Sequence, residues 1–569
     1  MTTHPAIATD GEKPSSSTSA VLMGVVLAVA AIAIAQSWNR WLDPIIDTGR
    51  DLYIPEQMRG GVTIYRDIVY YYPPLTPYLL ALITAITGSS IAAYAGIGMT
   101  IAVLTAAALY FGGRVTGGRT TAFSAALLFA ACSIAGRSTW GTNYLFPYSH
   151  AATLGTLFFA AFVAFLCDFL FGRRAVGSLV VALAFALAAS WTKAEYAVFT
   201  AIVIVVAFAA HRLRVAWLAA YVAVAMASVG AVSFAFRGYP PGRQWLFDNV
   251  APATLLRSPY LRYFYREVTG LAHWPSLTAR SLAGALIVVA IVALLAAADR
   301  APARSTRALC FGVAAAVSVL LLFDDRFFRS WTVLQIALVP FALRRPREPL
   351  LILLAASLCT TSRVFFNIVP VWYGFVFVVP LYLLLSHVFF EWLPARGVFS
   401  RKTSRALLVL VIVIALQALG SAHLTFGRKT HPLVTGRGTI YDKLAGRAAA
   451  IEQLQQDAPR LGIRDLVVMP EGLALNYLLH IPTPIAYYTF TPPEAADPAA
   501  EARILAEFDA KRPQWIAFVP RAVTEFGATQ FGVDYDQRLM AYIRANYVTA
   551  EVIHEPGFTI TLMRRRSPA

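Results

Sequence analysis

Residues 43–78 read DPIIDTGRDLYIPEQMRGGVTIYRDIVYYYPPLTPY, and eight formal charges fall between positions 43 and 67: Asp43, Asp47, Arg50, Asp51, Glu56, Arg59, Arg66 and Asp67. An aspartate at a helix start beside an arginine has two chemical uses. It can take a proton from a hydroxyl nucleophile, or it can hold a divalent cation. The spacing makes Asp47 an N-cap for a short helix over 48–54, with Arg50 and Asp51 on the same face. Pro55 is expected to interrupt that helix and Gly60–Gly61 to end the next piece. The plain alternative is that Asp47 is a cap and nothing more. Likewise, Tyr70, Tyr71 and Tyr72 read first as an aromatic belt at a membrane interface.

Further candidates stand elsewhere in the chain. Lys193 and Glu195, in WTKAEY, interrupt an apolar stretch, where ionisable groups are costly and usually paired or functional. DDRFFRS holds Asp324, Asp325, Arg326 and Arg329; it suits phosphate or metal, or a solvated hairpin. Arg363 and Asn367, in TSRVFFN, suit a phosphate or a sugar. His150, near Asn143 and Tyr148, can assist proton transfer or simply serve as a helix cap or hydrogen-bonding group. Arg243, Arg257, Arg262, Tyr263 and Arg266 make a basic, aromatic segment that suits a flap or a headgroup anchor. Glu471 and Tyr477 are expected to be structural.

These groups need a scaffold, and the composition says which. Of 569 residues, 58% are hydrophobic and 14% charged, with mean hydropathy +0.60, as in a polytopic membrane protein. About thirteen apolar runs recur between residues 20 and 422, against the roughly 20 residues needed to cross a bilayer. They lie at 20–37, 89–112, 120–136, 150–171, 176–191, 195–210, 214–235, 278–298, 308–323, 330–343, 349–361, 368–389 and 405–422. Burying eight charges in lipid would cost on the order of 20 kcal/mol, so the loop 38–88 belongs at or beyond the interface. The proline-broken run after Tyr72 reads as a half-inserted helix.

The net charge of +17 sits in short loops such as FGRR, HRLR and RRPRE. That pattern is a topology signal, and it argues against nucleic acid binding. It places a disordered N-terminal tail, 1–19, in the cytoplasm of a cell with an inner (plasma) membrane. The loop 38–88 and the C-terminal part then share the periplasmic or extracellular face. The four cysteines lie in or beside apolar runs and read as small buried hydrophobes. From 423 to 569 the texture changes. LVVMP, PIAYYTF, QWIAFVP and FTITLM resemble short strands, alternating with helical patterns, so a small α/β domain is expected outside the membrane.

The loop motif resembles the first outer loop of bacterial GT-C glycosyltransferases, relatives of protein O-mannosyltransferases and lipid A aminoarabinose transferases. The matching residues are Asp47, Gly49–Arg50, Tyr53, Gly61 with Tyr65–Arg66–Asp67, and Pro73–Pro74–Leu75. Where that family often has an Asp-Glu pair, this chain has Asp47–Thr48. The resemblance implies an inverting transferase that draws its sugar from a polyprenyl-phosphate carrier. It would pass the sugar to a glycan, lipid or protein acceptor of the envelope. Asp47 would act as base or metal ligand, with a divalent cation as the one cofactor to be entertained. Arg50, Lys193, Arg326 and Arg363 are the candidates for the donor phosphate, since cations near the membrane plane suit a lipid phosphate. Asp51, Tyr53, Arg66, Asp67, Tyr72, His150, Glu195 and Asn367 are the candidates for substrate contacts. The rival readings are a secondary transporter and a non-catalytic lipid-binding protein of the envelope.

Overall fold

A computed structural model describes residues 16–136, 142–211, 213–237, 257–322 and 325–567. Most of the expected tail 1–19 therefore lies outside the described residues, as do Arg243 and Asp324; residues 16–19 already belong to the first helix.

A helix lies on each of the thirteen apolar runs, though in the run 368–389 it begins only at Val379, after two short 3-10 turns. Among the described residues seven helices are long and apolar enough to cross a membrane: Thr18–Gln36, Ile91–Thr116, His150–Phe171, Ala194–His211, Val215–Ala235, Leu271–Arg300 and Arg401–Phe426. Leu75–Thr87, Arg119–Cys132, Val176–Ser190, Pro349–Thr361 and Val379–Ala395 are shorter apolar helices. The protein is a multi-pass membrane protein. Close approaches pin the bundle together. A Cβ on Gly98 would stand 2.4 Å from the Leu145 carbonyl oxygen, and one on Gly284 would stand 2.3 Å from that of Arg326.

Beyond the last long helix, a hairpin of β1 (His431–Thr435) and β2 (Gly438–Asp442) leads into the α/β part. Its sheet has the order β3 (Val467–Met469), β4 (Trp515–Phe518), β6 (Phe558–Arg565), β5 (Tyr547–Glu555); β3 and β4 are parallel and the other pairs antiparallel. Side chains alternate between its faces, as strand geometry requires. Trp515, Ala517, Ile560 and Leu562 join a core with Ile451 and Leu454 of the helix Ala445–Arg460. Ile516, Val467 and Met469 face Ile504 and Phe508 of Pro498–Lys511, and Leu539 and Ile543 of Gln537–Asn546. The result is helix, sheet, helix in three layers.

Two strand expectations change. PIAYYTF is irregular: Val69 donates to the Ala486 carbonyl at 3.0 Å, so this segment lies along the first loop instead of in the sheet. Residues 547–555, into which a helical sequence pattern runs, form β5.

The first loop and the α/β part are joined by ion pairs. Arg437 meets Glu56 at 2.5 Å and Arg447 meets Asp43 at 3.2 Å, while the Thr483 N–H donates to the Tyr53 hydroxyl at 2.8 Å. Helix Gly49–Arg59 packs so closely on Leu473–Leu479 that a Cβ at position 49 would lie 2.1 Å from the Ala474 nitrogen. Gly49→Ala is expected to cost about 1–3 kcal/mol by overpacking. Its melting temperature in detergent should fall accordingly, and an unchanged melt would show that this docking is loose.

Candidate active site

The first loop positions its carboxylate by an unusual turn. The N–H groups of Ile45 and Ile46 donate to Asp43 Oδ1 at 2.9 and 3.2 Å, which fixes the approach to residue 47. Asp47 then has φ +59°, and the Thr48 N–H donates to the Ile46 carbonyl at 2.8 Å across it. This is a tight three-residue turn of the rarer hand, a strained conformation that aspartate tolerates better than most residues. The expected cap is therefore displaced. Thr48 holds the N-cap position without a side-chain cap bond, its hydroxyl donating to the Pro147 carbonyl at 3.3 Å. No hydrogen bond among the described residues engages the Asp47 carboxylate. The helix also runs through Pro55 to Arg59, because burial of Leu52, Tyr53, Ile54 and Pro55 itself offsets the missing backbone bond. Gly60 and Gly61 end it, as expected.

Asp47 opens onto a cavity of about 1140 Å³ between the helical bundle and the α/β part. Arg50, Tyr72, Tyr148, Lys193, Tyr265 and Arg363 line the same space. Arg50 lies over the Tyr72 ring at 4.6 Å and donates to the Tyr72 hydroxyl and the Tyr148 carbonyl, each at 3.4 Å. Lys193 donates to the Tyr148 hydroxyl at 3.4 Å and faces the rings of Tyr72, Tyr148 and Phe377 at 5.1–5.4 Å. Arg363 lies over Tyr265 at 4.4 Å. Glu195 bridges the last two cations, 3.7 Å from Lys193 and 3.3 Å from Arg363. One carboxylate thus serves two cations, and Arg50 adds a third, so this wall is strongly electropositive and aromatic. The tyrosines expected as an interface belt face inward instead: Tyr70 is buried and Tyr72 floors the cation cluster.

Behind this wall Asp51 is buried, 3.5 Å from Arg50 Nε and 3.2 Å from His150 Nδ1; it also accepts the His150 backbone N–H. Burial pushes this carboxyl up, but His150 and Arg50 outweigh it and hold the group below the ordinary aspartate range. His150 is thus a buried partner of Asp51; the cap position belongs to Ser149.

The opposite wall comes from the α/β part. Glu471, at the end of β3, accepts the Asp47 N–H at 2.7 Å and pairs with Arg521 at 2.7 Å. Glu494 and Tyr488 line the cavity beside them. Asp47 is open to the cavity yet enclosed by protein. That poor solvation, with Glu471 adding to it and Arg50 and Arg521 opposing it, raises its pKa to about 7. Burial also raises Glu494 to about 7, and it lowers Lys193 to about 8, against the pull of Glu195.

Of the residues named as base, donor-phosphate or substrate candidates, Asp47, Arg50, Tyr72, Lys193 and Arg363 share the cavity, with Asp51, His150 and Glu195 directly behind its wall. Five stand apart. Arg326 lines a separate surface cleft with Arg280 and Asp325, and Asp325–Arg344 is a helix instead of a hairpin. Asn367 accepts from Arg329 at 2.5 Å and donates to the Glu267 carbonyl. Arg66 and Asp67 pair with each other at the exposed loop tip. Tyr53 is buried at the junction with the α/β part. Glu471, expected to be purely structural, lines the cavity, and Arg521, Glu494 and Tyr488 join it without having stood out in the sequence. Glu471 and Arg521 both follow the carboxyl ends of the parallel strands β3 and β4, where site residues of α/β sheets gather.

No three His, Cys, Asp or Glu side chains converge as a metal-binding group among the described residues, and Glu471 is committed to Arg521. These side chains do not offer Asp47 a ligand set.

No family model and no curated protein sequence matches the chain. Solved structures do. Archaeal oligosaccharyltransferase AglB from Archaeoglobus fulgidus, in complex with an inhibitory peptide and a dolichol-phosphate, superposes with TM-score 0.51 at 12% identity, over 89% of this chain and 70% of that one. ArnT from Cupriavidus metallidurans bound to undecaprenyl phosphate gives 0.46 at 14% identity, over 96% and 98% of the two chains. Arabinofuranosyltransferase AftD from Mycobacteria gives 0.43 at 13% identity, over 98% and 42%. At such identities the likeness is one of architecture, and the AglB superposition covers 89% of this chain: the chain has the GT-C fold.

Proposed function

We propose that this protein is an integral membrane glycosyltransferase that moves a sugar from a polyprenyl-phosphate carrier to an acceptor on the periplasmic or extracellular face. One observation carries the reading: a carboxylate with a pKa of about 7 opens onto the same cavity as Arg50, Lys193 and Arg363. The AglB structure, with the same fold, holds a dolichol-phosphate and a peptide. In this reading Asp47 takes the proton of the acceptor hydroxyl or amine. The acceptor atom attacks the anomeric carbon on the side away from the phosphate, so the configuration inverts. The bond from that carbon to the phosphate oxygen breaks, and its electron pair leaves with the carrier. Charge grows on the phosphate at that moment, and in this reading the three cations that line the cavity meet it. A base with a pKa near the working pH suits this role.

Two measurements test the placement. Mass spectrometry of lipids that copurify with the protein should find a polyprenyl phosphate or its glycosylated form; their consistent absence counts against the donor class. A D47C variant, with Cys310 replaced by serine because it is the one half-exposed cysteine, should react in whole cells with a thiol reagent that cannot cross membranes. Reaction only after the cells are opened would put the site on the wrong side.

A further inference from the structure

Asp47 is held from 424 residues away. Glu471 uses both oxygens: Oε1 accepts the Asp47 N–H at 2.7 Å, and Oε2 accepts from Arg521 Nε at 2.7 Å. Arg521 is anchored in turn, donating through Nη2 to Glu525 Oε1 at 2.5 Å. The Glu471 and Arg521 side chains are 12% and 10% exposed, so water screens the ion pair between them weakly. The tight turn at Asp47 directs its N–H away from its own helix and toward this acceptor. A left-handed aspartate is strained, and a fixed acceptor for its N–H is what keeps it in that conformation. We propose that Glu471, backed by Arg521, is the positioning residue for Asp47, through which the C-terminal α/β part sets the orientation and charge environment of that carboxylate. That Asp47 is the reacting group rests on the transferase reading; that Glu471 holds it does not.

The charged and titratable groups facing Asp47 are Arg50 and Tyr72 from the first loop, Lys193 from the turn before Ala194, and Glu471, Glu494 and Arg521 from the α/β part. Among their side chains only Glu471 bonds the Asp47 backbone, taking its N–H, while the Asp47 carbonyl accepts the Arg50 backbone N–H at 3.2 Å. Glu471→Gln keeps an oxygen for the N–H but removes a negative charge, so Asp47 should ionise more readily. Arg521→Gln removes a positive charge and should do the reverse.

The full-length protein in detergent, treated with dicyclohexylcarbodiimide, provides the readout. This reagent reacts with protonated carboxyl groups, and peptide mass spectrometry gives the extent of reaction at residue 47 as a function of pH. For the wild type the midpoint should fall near pH 7. Glu471→Gln should lower it by about one pH unit, with several-fold less labelling at neutral pH. Arg521→Gln should raise it, and Glu471→Asp should restore the wild-type midpoint only in part. Loss of fold cannot imitate opposite shifts from two members of one ion pair. A midpoint unmoved in both Gln variants overturns the proposal. If the shifts occur but no lipid-linked sugar is ever transferred, the transferase reading falls and the positioning role stands.

Discussion

Asp47→Asn should lower sugar transfer by about 10²- to 10⁴-fold, the range supplied by a positioned general base. The replacement is well matched in shape. Asparagine is also tolerated in the left-handed region, so the turn at φ +59° persists, and its backbone N–H still reaches Glu471. What disappears is the ability to accept a proton. Arg50, Lys193 and Arg363 are untouched, so the amount of copurified lipid should stay at the wild-type level while turnover collapses. Near-normal transfer by Asp47→Asn would remove Asp47 from the mechanism outright. The pH dependence follows from the same group. Asp47 must be ionised to act, and its raised pKa places that ionisation near 7. Transfer should therefore fall as pH drops through 7, about tenfold per unit well below it.

The bundle could be read from the chain because a bilayer imposes a length. Long apolar runs punctuated by basic loops are what a chain crossing a bilayer many times requires, and a helix lies on every run. Part of the candidate site was legible for a related reason. Lys193 and Glu195 stand out as expensive charges in an apolar stretch, and Arg50 stands out in a charge-crowded loop directly after the first apolar run, both signals of residue type and local context. Proximity is not written there. Arg326 satisfied the same logic, yet its helix packs its backbone against Gly284 and carries its side chain to a different cleft. Glu471 failed in the opposite direction. An acid in a Pro-Glu-Gly turn looks like ordinary loop chemistry until β3 and β4 pair and bring it to Asp47. Strand β5 was hidden because its outer face is polar and a helical pattern runs into it; pairing with β6, not propensity, decides its state.

The second large effect concerns the cations proposed to hold the donor phosphate. Lys193→Ala should reduce transfer by about 10²-fold or more, with part of the loss appearing as a higher KM for the lipid donor. A charge-assisted bond to phosphate in a poorly hydrated site is worth more than an exposed one. Lys193 is 3% exposed and stacked among three aromatic rings, so little water can replace it. Removing it alone leaves Glu195 facing Arg363 only. The pair Lys193→Ala with Glu195→Gln therefore separates lost phosphate contact from an unbalanced carboxylate: transfer should stay low in both variants if the phosphate contact matters. Recovery in the double variant would make Lys193 merely a partner for Glu195. The alkaline side of the pH profile provides an independent check. Burial lowers Lys193 to about 8, so its charge is present below that pH and is lost above it. Donor affinity should therefore weaken as pH rises through 8, giving, with Asp47, an optimum between about 7 and 8. Lys193→Arg, whose guanidinium stays charged throughout, should move the alkaline fall to higher pH even if its overall rate is reduced. An alkaline limb unchanged in that variant would assign the fall to another group and leave Lys193 without a part in holding the phosphate.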